Sequence, residues 1–229
     1  MAQQIAVIGL GAFGSALARR LTERGVEVIA VDVRKELVEN IKEAVAVAVA
    51  LDSTDERALR SLGIDQVDAA VISIGANVEA NLLTAALLKG MGIRRILGRA
   101  TSPVQERILR AVGIMRVINV EEEMGRMLAD TLASPQIERI LPLASGHSVA
   151  EVKVPPSFAG RTLQELALRK KHRINLVAIK RRVPEVDSDG QRGLKEIIND
   201  VPGADDVLEQ GDVMVVVGSN EMIEKLPRD

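Results

Sequence analysis

Gln4-Ile-Ala-Val-Ile-Gly9-Leu-Gly11-Ala-Phe-Gly14, followed further on by Glu27-Val-Ile-Ala-Val-Asp32, is the stretch whose reading decides the fold. Residues 5–8 form a short continuous apolar run, which suits a strand buried on both faces. Gly9, Gly11 and Gly14 then have the spacing of a dinucleotide-binding turn between a strand and a helix. Gly9 permits the tight turn, Gly11 lets the backbone approach a pyrophosphate, and Gly14 lets the helix lie close to the strand. The free N–H groups and the dipole at the start of that helix, around Ala12 and Phe13, attract phosphates. Asp32 ends the second strand 18 residues after Gly14. An acid there accepts hydrogen bonds from both ribose hydroxyls and repels a 2′-phosphate, which disfavours NADP. Three glycines alone also fit an ordinary strand-to-helix turn; the strand before them, the helix after them and the acid beyond point to a nucleotide.

Composition narrows the classes around this core. The 229 residues suffice for one or two domains, and 47% hydrophobic with 27% charged residues is the balance of a soluble globular chain. A net charge of −2 gives no basic field for nucleic acid. Without cysteine there are no disulfides and no thiolate metal sites, in keeping with a reducing compartment. The first strand begins by residue 4, which leaves no room for a signal peptide, and the longest purely apolar run, residues 44–51, falls far short of the roughly 20 residues of a membrane-spanning helix. The expected location is the cytoplasm. Tyr and Trp are absent, and the only histidines are His147 and His172, so the first 130 residues offer no His or Tyr to act as acid or base beside a nicotinamide.

Periodicity predicts further strands over residues 45–51, 67–74, 94–99 and 115–120, with helices between them, completing a doubly wound parallel six-stranded sheet by about residue 120. Asp52-Ser53-Thr54-Asp55 reads as a helix N-cap with Ser53 or Thr54 as acceptor, or alternatively as a lining for the adenine end of a nucleotide. Ligands in such sheets sit beyond the carboxyl ends of the strands where strand order reverses, so Ile74 and Gly75 are expected to border the nucleotide. Asn81 is read as a solvent-facing residue near the start of a long helix. Arg99, at the ligand end of its strand, is either in a surface ion pair or in reach of a phosphate. Glu121, Glu122 and Glu123 open a helix to Ala133, where the macrodipole favours acids. Met124, Met127, Leu128 and Thr131 form a stripe on it with no strand left to cover, which suggests contact with another subunit or a second module.

Ala133-Ser134-Pro135 is expected to end the first domain (residues 1–134), with a connector over 135–149 and a second domain over 150–229. That domain is read as a small α+β unit: strands at 149–154, 175–180 and 213–217, a helix over 161–169, and a mobile polar loop over 182–194. The basic run Arg169-Lys-Lys-His-Arg173 is either a solvated helix end or the seat of a small anion at a subunit interface.

Taken together, the two halves resemble the RCK (regulator of potassium conductance) family of the Ktr/Trk type. The first half is similar to its KTN, or TrkA-N, domain in Gly9-Leu-Gly-Ala-Phe-Gly14, Asp32, Asp52-Ser-Thr54, the Asn81 helix and Arg99. The second resembles the TrkA-C domain in Phe158-Ala-Gly-Arg-Thr-Leu163, Arg173-Ile-Asn-Leu-Val-Ala-Ile-Lys-Arg181 and Leu208-Glu-Gln-Gly-Asp-Val-Met-Val-Val-Val-Gly218. The resemblance implies a regulatory subunit without enzymatic activity. It implies homodimers assembled into an octameric ring beneath a potassium-translocating membrane subunit, with ATP, ADP or NAD(H) held by Gly9, Gly11, Ala12, Phe13, Gly14, Asp32, Asp52, Ser53, Thr54, Ile74, Gly75 and Arg99. It also places Glu121 where a glutamate in Ktr-type members approaches a divalent cation, and Arg169 and Asn175 in the region where some members bind cyclic di-AMP between subunits. At Ala12 many Ktr regulators instead carry an arginine that meets a terminal phosphate across the dimer, so that route to telling ATP from ADP lacks its residue. Two other readings stand beside this one: an NAD-dependent oxidoreductase, and a regulator of the same kind serving a cation/proton antiporter.

Overall fold

The structure, a computed structural model, describes residues 3–133, 137–143, 146–186 and 192–227. The chain divides into two compact units, residues 1–124 and 125–229. In the first, six parallel strands lie in the order β3-β2-β1-β4-β5-β6: β1 (Gln4–Ile8), β2 (Glu27–Asp32), β3 (Val47–Ala50), β4 (Ala69–Ile72), β5 (Ile96–Arg99) and β6 (Arg116–Ile118). The helices between them are α1 (Ala12–Glu23), α2 (Lys35–Glu39), α3 (Glu56–Ser61), α4 (Val78–Gly90) and α5 (Pro103–Val112).

The continuous apolar runs make physical sense here because each strand serves two cores. Ala6 and Ile8 of β1 pack with Ile29, Val31, Ile72, Leu59, Leu88 and Leu109, beneath α3, α4 and α5. Ile5 and Val7 pack on the opposite face with Val28, Ala30, Ala18 and Val38, beneath α1 and α2. A strand covered on both faces has no polar side to alternate with. Strand order reverses at β1, with β2 on one side and β4 on the other, which opens a cleft at their carboxyl ends.

Helix α6 (Val120–Ala133) follows β6 and crosses from the first unit into the second. Met124, Met127, Leu128 and Leu132 are exposed on it, and the side chain of Thr131 lies outside the described residues. The second unit is built on an antiparallel five-stranded sheet, order β11-β10-β13-β8-β7: β7 (Ile137–Pro142), β8 (His147–Lys153), β10 (Asn175–Val186), β11 (Arg192–Asn199) and β13 (Val213–Ser219). A small pair, β9 (Arg161–Thr162) with β12 (Val207–Leu208), and the short helices α7 (Leu163–Leu166), α8 (Leu168–Lys171) and α9 (Asn220–Glu224) complete it. Its core gathers Val152, Phe158, Leu166, Ile174, Leu208, Met214, Val216 and Ile223.

Three expectations for this unit need correcting. The connector over 135–149 contains β7 and the start of β8, which pair with each other; residues 134–136, where Pro135 was expected to stop the helix, lie outside the described residues. In the polar stretch 182–194, read as a loop, residues 182–186 and 192–194 are strand, since β10 and β11 pair from Val186↔Arg192 to Ile179↔Asn199, while residues 187–191 lie outside the described residues. The helix over 161–169 is broken into α7 and α8 at Ala167, whose φ of 44° lies in the left-handed region.

Candidate functional site

A cleft of about 630 Å³ opens where β1, β2, β3, β4 and β5 end. The glycine turn forms its floor. Gly9, at φ 97°, donates its N–H to the Val31 carbonyl at 2.7 Å, and a Cβ there would come within 2.7 Å of the Ile74 backbone nitrogen. A Cβ on Gly14 would come within 1.9 Å of the Gly9 carbonyl oxygen, so Gly14 seats α1 against the turn. Ser73, buried behind them, donates to the carbonyls of Ile8 (3.0 Å) and Gly9 (2.5 Å). Gly11 differs: it caps α1 at φ −63° with nothing within 4 Å of its Cβ position, and it lines the cleft. Gly11 is the N-cap of α1, whose first-turn N–H groups have no intrahelical acceptors. Ala12, Phe13 and Gly14, expected at the site, are not among the residues that line the cleft; they form the first turn of α1 behind Gly11.

Asp32 is buried at the end of β2 and lines the cleft. Its Oδ2 accepts the Leu10 N–H at 2.7 Å, and its Oδ1 accepts from the Arg34 N–H at 2.9 Å and from Arg34 Nε at 3.3 Å. These bonds tie the carboxylate to the glycine turn; Oδ1 already accepts two, whereas Oδ2, with one, retains a lone pair for a further donor. Asp52, Ser53 and Thr54 line the cleft beyond β3. The N-cap of α3 is not Ser53 or Thr54 but Asp55, which accepts from the N–H groups of Arg57 and Ala58. The Ser53 hydroxyl is instead turned inward, 2.7 Å from the Thr84 hydroxyl on α4. Asp52 accepts from the Thr54 N–H (2.9 Å) and hydroxyl (2.7 Å), and these bonds, the backbone one first, hold its carboxyl below the usual carboxylate range.

On the opposite wall Ile74 and Gly75 line the cleft, joined by Ala76 and Asn77. Asn77 caps α4, accepting from the Ala80 N–H. Asn81 is fully buried rather than solvent-facing: its Nδ2 donates to the carbonyls of Ile74 (2.7 Å) and Arg99 (3.1 Å) and so joins the ends of β4 and β5. Arg99 crosses Gly75, where a Cβ would come within 2.8 Å of its Nη1. It lines the cleft and pairs with Glu121 at the start of α6, while its buried Nε has no partner among the described residues. Glu121's carboxyl is held below the usual range, first by its own backbone N–H and then by Arg99. Among the described residues no group of three or more His, Asp or Glu could hold a metal ion, and Glu121, committed to Arg99, does not by itself make a cation site. In the second unit Arg169 and Asn175 are both exposed, on α8 and at the start of β10.

Sequence reasoning missed Arg34, Ser73 and Asn77 as cleft residues. Arg34 carried the only usable signal, two positions past Asp32.

Strand order 3-2-1-4-5-6, a glycine turn at the reversal and a carboxylate at the end of β2 define a Rossmann-type α/β protein of the dinucleotide-fold class. The TrkA-N domain model matches residues 5–120 and the TrkA-C domain model residues 149–228; the chain belongs to the TrkA-N/TrkA-C family. It is 35% identical to the Ktr system potassium uptake protein C of Bacillus subtilis (strain 168), over 96% of this chain and 93% of that one. It is 31% identical to the Ktr system potassium uptake protein A of Vibrio alginolyticus, over 96% and 94%. Among solved structures, the GsuK RCK domain superposes on all of this chain with a TM-score of 0.64 at 18% identity, a likeness of fold. A GsuK channel bound to NAD does so with a TM-score of 0.63 at 18% identity. The chain spans 48% and 41% of those two chains. Among the described residues no helix is long and apolar enough to cross a membrane.

Proposed function

We propose that this chain is a nucleotide-binding regulatory subunit of a potassium transport system, acting from the cytoplasmic side on a potassium-translocating membrane subunit. The observation that carries the reading is the cleft lined by Gly9, Gly11 and Asp32 where α1 begins; in this reading it takes a diphosphate at the helix start with the ribose beside Asp32. The relatives named for potassium uptake, matched over nearly their whole length, supply the physiological setting. ATP, ADP or NAD(H) is the ligand, with phosphates at Gly9, Gly11 and the main chain of Ala12 and Phe13, ribose at Asp32, and the base toward Asp52–Thr54. The Ile74–Gly75 wall and Arg99 close the phosphate end. The output is a change of shape in a homodimer that builds a ring, with the exposed stripe on α6 as part of the subunit contact. A ligand moves such an assembly only by binding one shape more tightly than another. The divalent cation is not assigned a place, because Glu121 is paired with Arg99, and cyclic di-AMP at Arg169 and Asn175 is not part of this reading.

Potassium flux into vesicles carrying the membrane partner and this chain is the test. Exchange of ADP for ATP or NADH is expected to change the flux, and Gly11→Ala to abolish that response. Flux indifferent to all three, or steady turnover of NADH by the purified chain, would overturn the reading.

A further inference from the structure

Arg34 is the cationic side chain of the cleft's far end, and the ion pair with Asp32 does not use it up. Its backbone N–H and its Nε both go to Asp32 Oδ1, which fixes the root and the plane of the guanidinium beside the ribose acid. Nη1 and Nη2 have no partner among the described residues, and the side chain is 63% exposed. Arg34 lines the cleft at the β2–α2 junction, next to the β3–α3 junction where Asp52 and Thr54 stand, since Asp32 pairs with Ala50 across β2 and β3. A nucleotide with its phosphates at α1 and its ribose at Asp32 has only its base left to place over these two junctions. That base needs a partner for its π face, yet none of the residues lining the cleft is aromatic. A planar guanidinium stacks on aromatic faces by combined cation–π and dispersion attraction, and it is less strongly hydrated than an ammonium. A phosphate ester on the ribose is the poorer occupant for Arg34, because it would bring two negative charges against the Asp32 carboxylate.

We infer that Arg34 is the stacking platform for the base of the bound nucleotide, held in plane by Asp32, and thus a determinant of affinity for the base rather than for the phosphates. This rests on the nucleotide reading of the cleft.

Calorimetric titration of the full chain with ADP, in 0.05 and 0.5 M KCl, tests it in wild type, Arg34→Ala and Arg34→Lys. Loss of the platform is expected to weaken ADP about 3- to 30-fold. The ratio should be the same at both salt concentrations, since a contact stack is not screened as a distant charge is. Lysine keeps the charge without the plane or the Nε tether and should recover only part of the loss. A second readout separates stacking from an effect passed through Asp32. With saturating 1,N6-etheno-ADP, whose emission is undisturbed because the chain has no Trp or Tyr, Arg34→Ala should expose the base to acrylamide quenching. Unchanged ADP affinity in Arg34→Ala, full recovery by lysine, a loss that vanishes at 0.5 M KCl, or unchanged quenching each overturns the inference. Failure of the wild type to bind ADP would instead remove the nucleotide reading itself.

Discussion

Gly9 and Gly11 stand two residues apart and have opposite duties. Gly9→Ala would force a side chain into the left-handed region and drive Cβ to 2.7 Å from backbone that cannot yield, so a loss of at least about 3 kcal/mol is expected in urea unfolding. Gly11→Ala meets open space at an ordinary φ, and stability should stay within about 0.5 kcal/mol while the methyl group occupies the diphosphate's path. Asp52 gives a residue-level test of electrostatics. Its folded pKa is depressed, so its contribution to stability is present above the ordinary value of about 3.9 and is lost as pH falls through the lower folded value. Thr54→Val removes the hydroxyl bond and leaves the larger backbone one. Carbon NMR titration should therefore show Asp52 moving up yet remaining below the ordinary range.

The elements that could be read from sequence are those whose signal is local. Strands β1, β2 and β4 are apolar without interruption because both faces are covered, and the glycine turn declares itself by spacing. The hairpin β10–β11 was illegible because its outer length is built from charges: Lys195 reaches Glu185 at 2.9 Å, and Arg182 lies opposite Glu196 in register. Such cross-strand pairs stabilise a strand without apolar alternation, and the pairing is known only once both strands are placed. Asn81 was misread, and the N-cap alternative for Ser53 failed, for the same reason, since their partners lie up to 31 residues away. The bond between β10 and the turn before β13 also escapes local reading. Arg181 grips the buried Asp212 through Nε (2.8 Å) and Nη2 (2.6 Å), and this carboxylate, ahead of Glu209, raises the arginine's pKa. Asp212→Ala takes the two-point partner from a half-exposed guanidinium that keeps Glu209 and the Val207 carbonyl, and leaves the Glu209 N–H without its acceptor; urea unfolding should show a loss of about 2 kcal/mol, below the range for fully buried pairs.

In the whole molecule, on the proposed function, the nucleotide is an effector whose binding energy is divided between two shapes of an assembly. Moving a two-state equilibrium from 1:99 to 99:1 takes about a 10⁴-fold preference, so a ligand held mainly by main-chain amides and one carboxylate must differ between the shapes at its phosphate end, where Arg99 reaches from the cleft to α6. The same ligand should stabilise the unit that contains the cleft by about 2.7 kcal/mol at a hundredfold excess over Kd, read as a rise in its unfolding midpoint. Everything depends on the cradle beside Gly11 accepting a diphosphate. The most direct measurement is calorimetric titration of the full chain and its Gly11→Ala variant with ADP, ATP and NADH. The account predicts one site per chain in the wild type and at least a tenfold weakening in a variant that unfolds at the same midpoint. Binding of equal strength in both, or none in either, would contradict it.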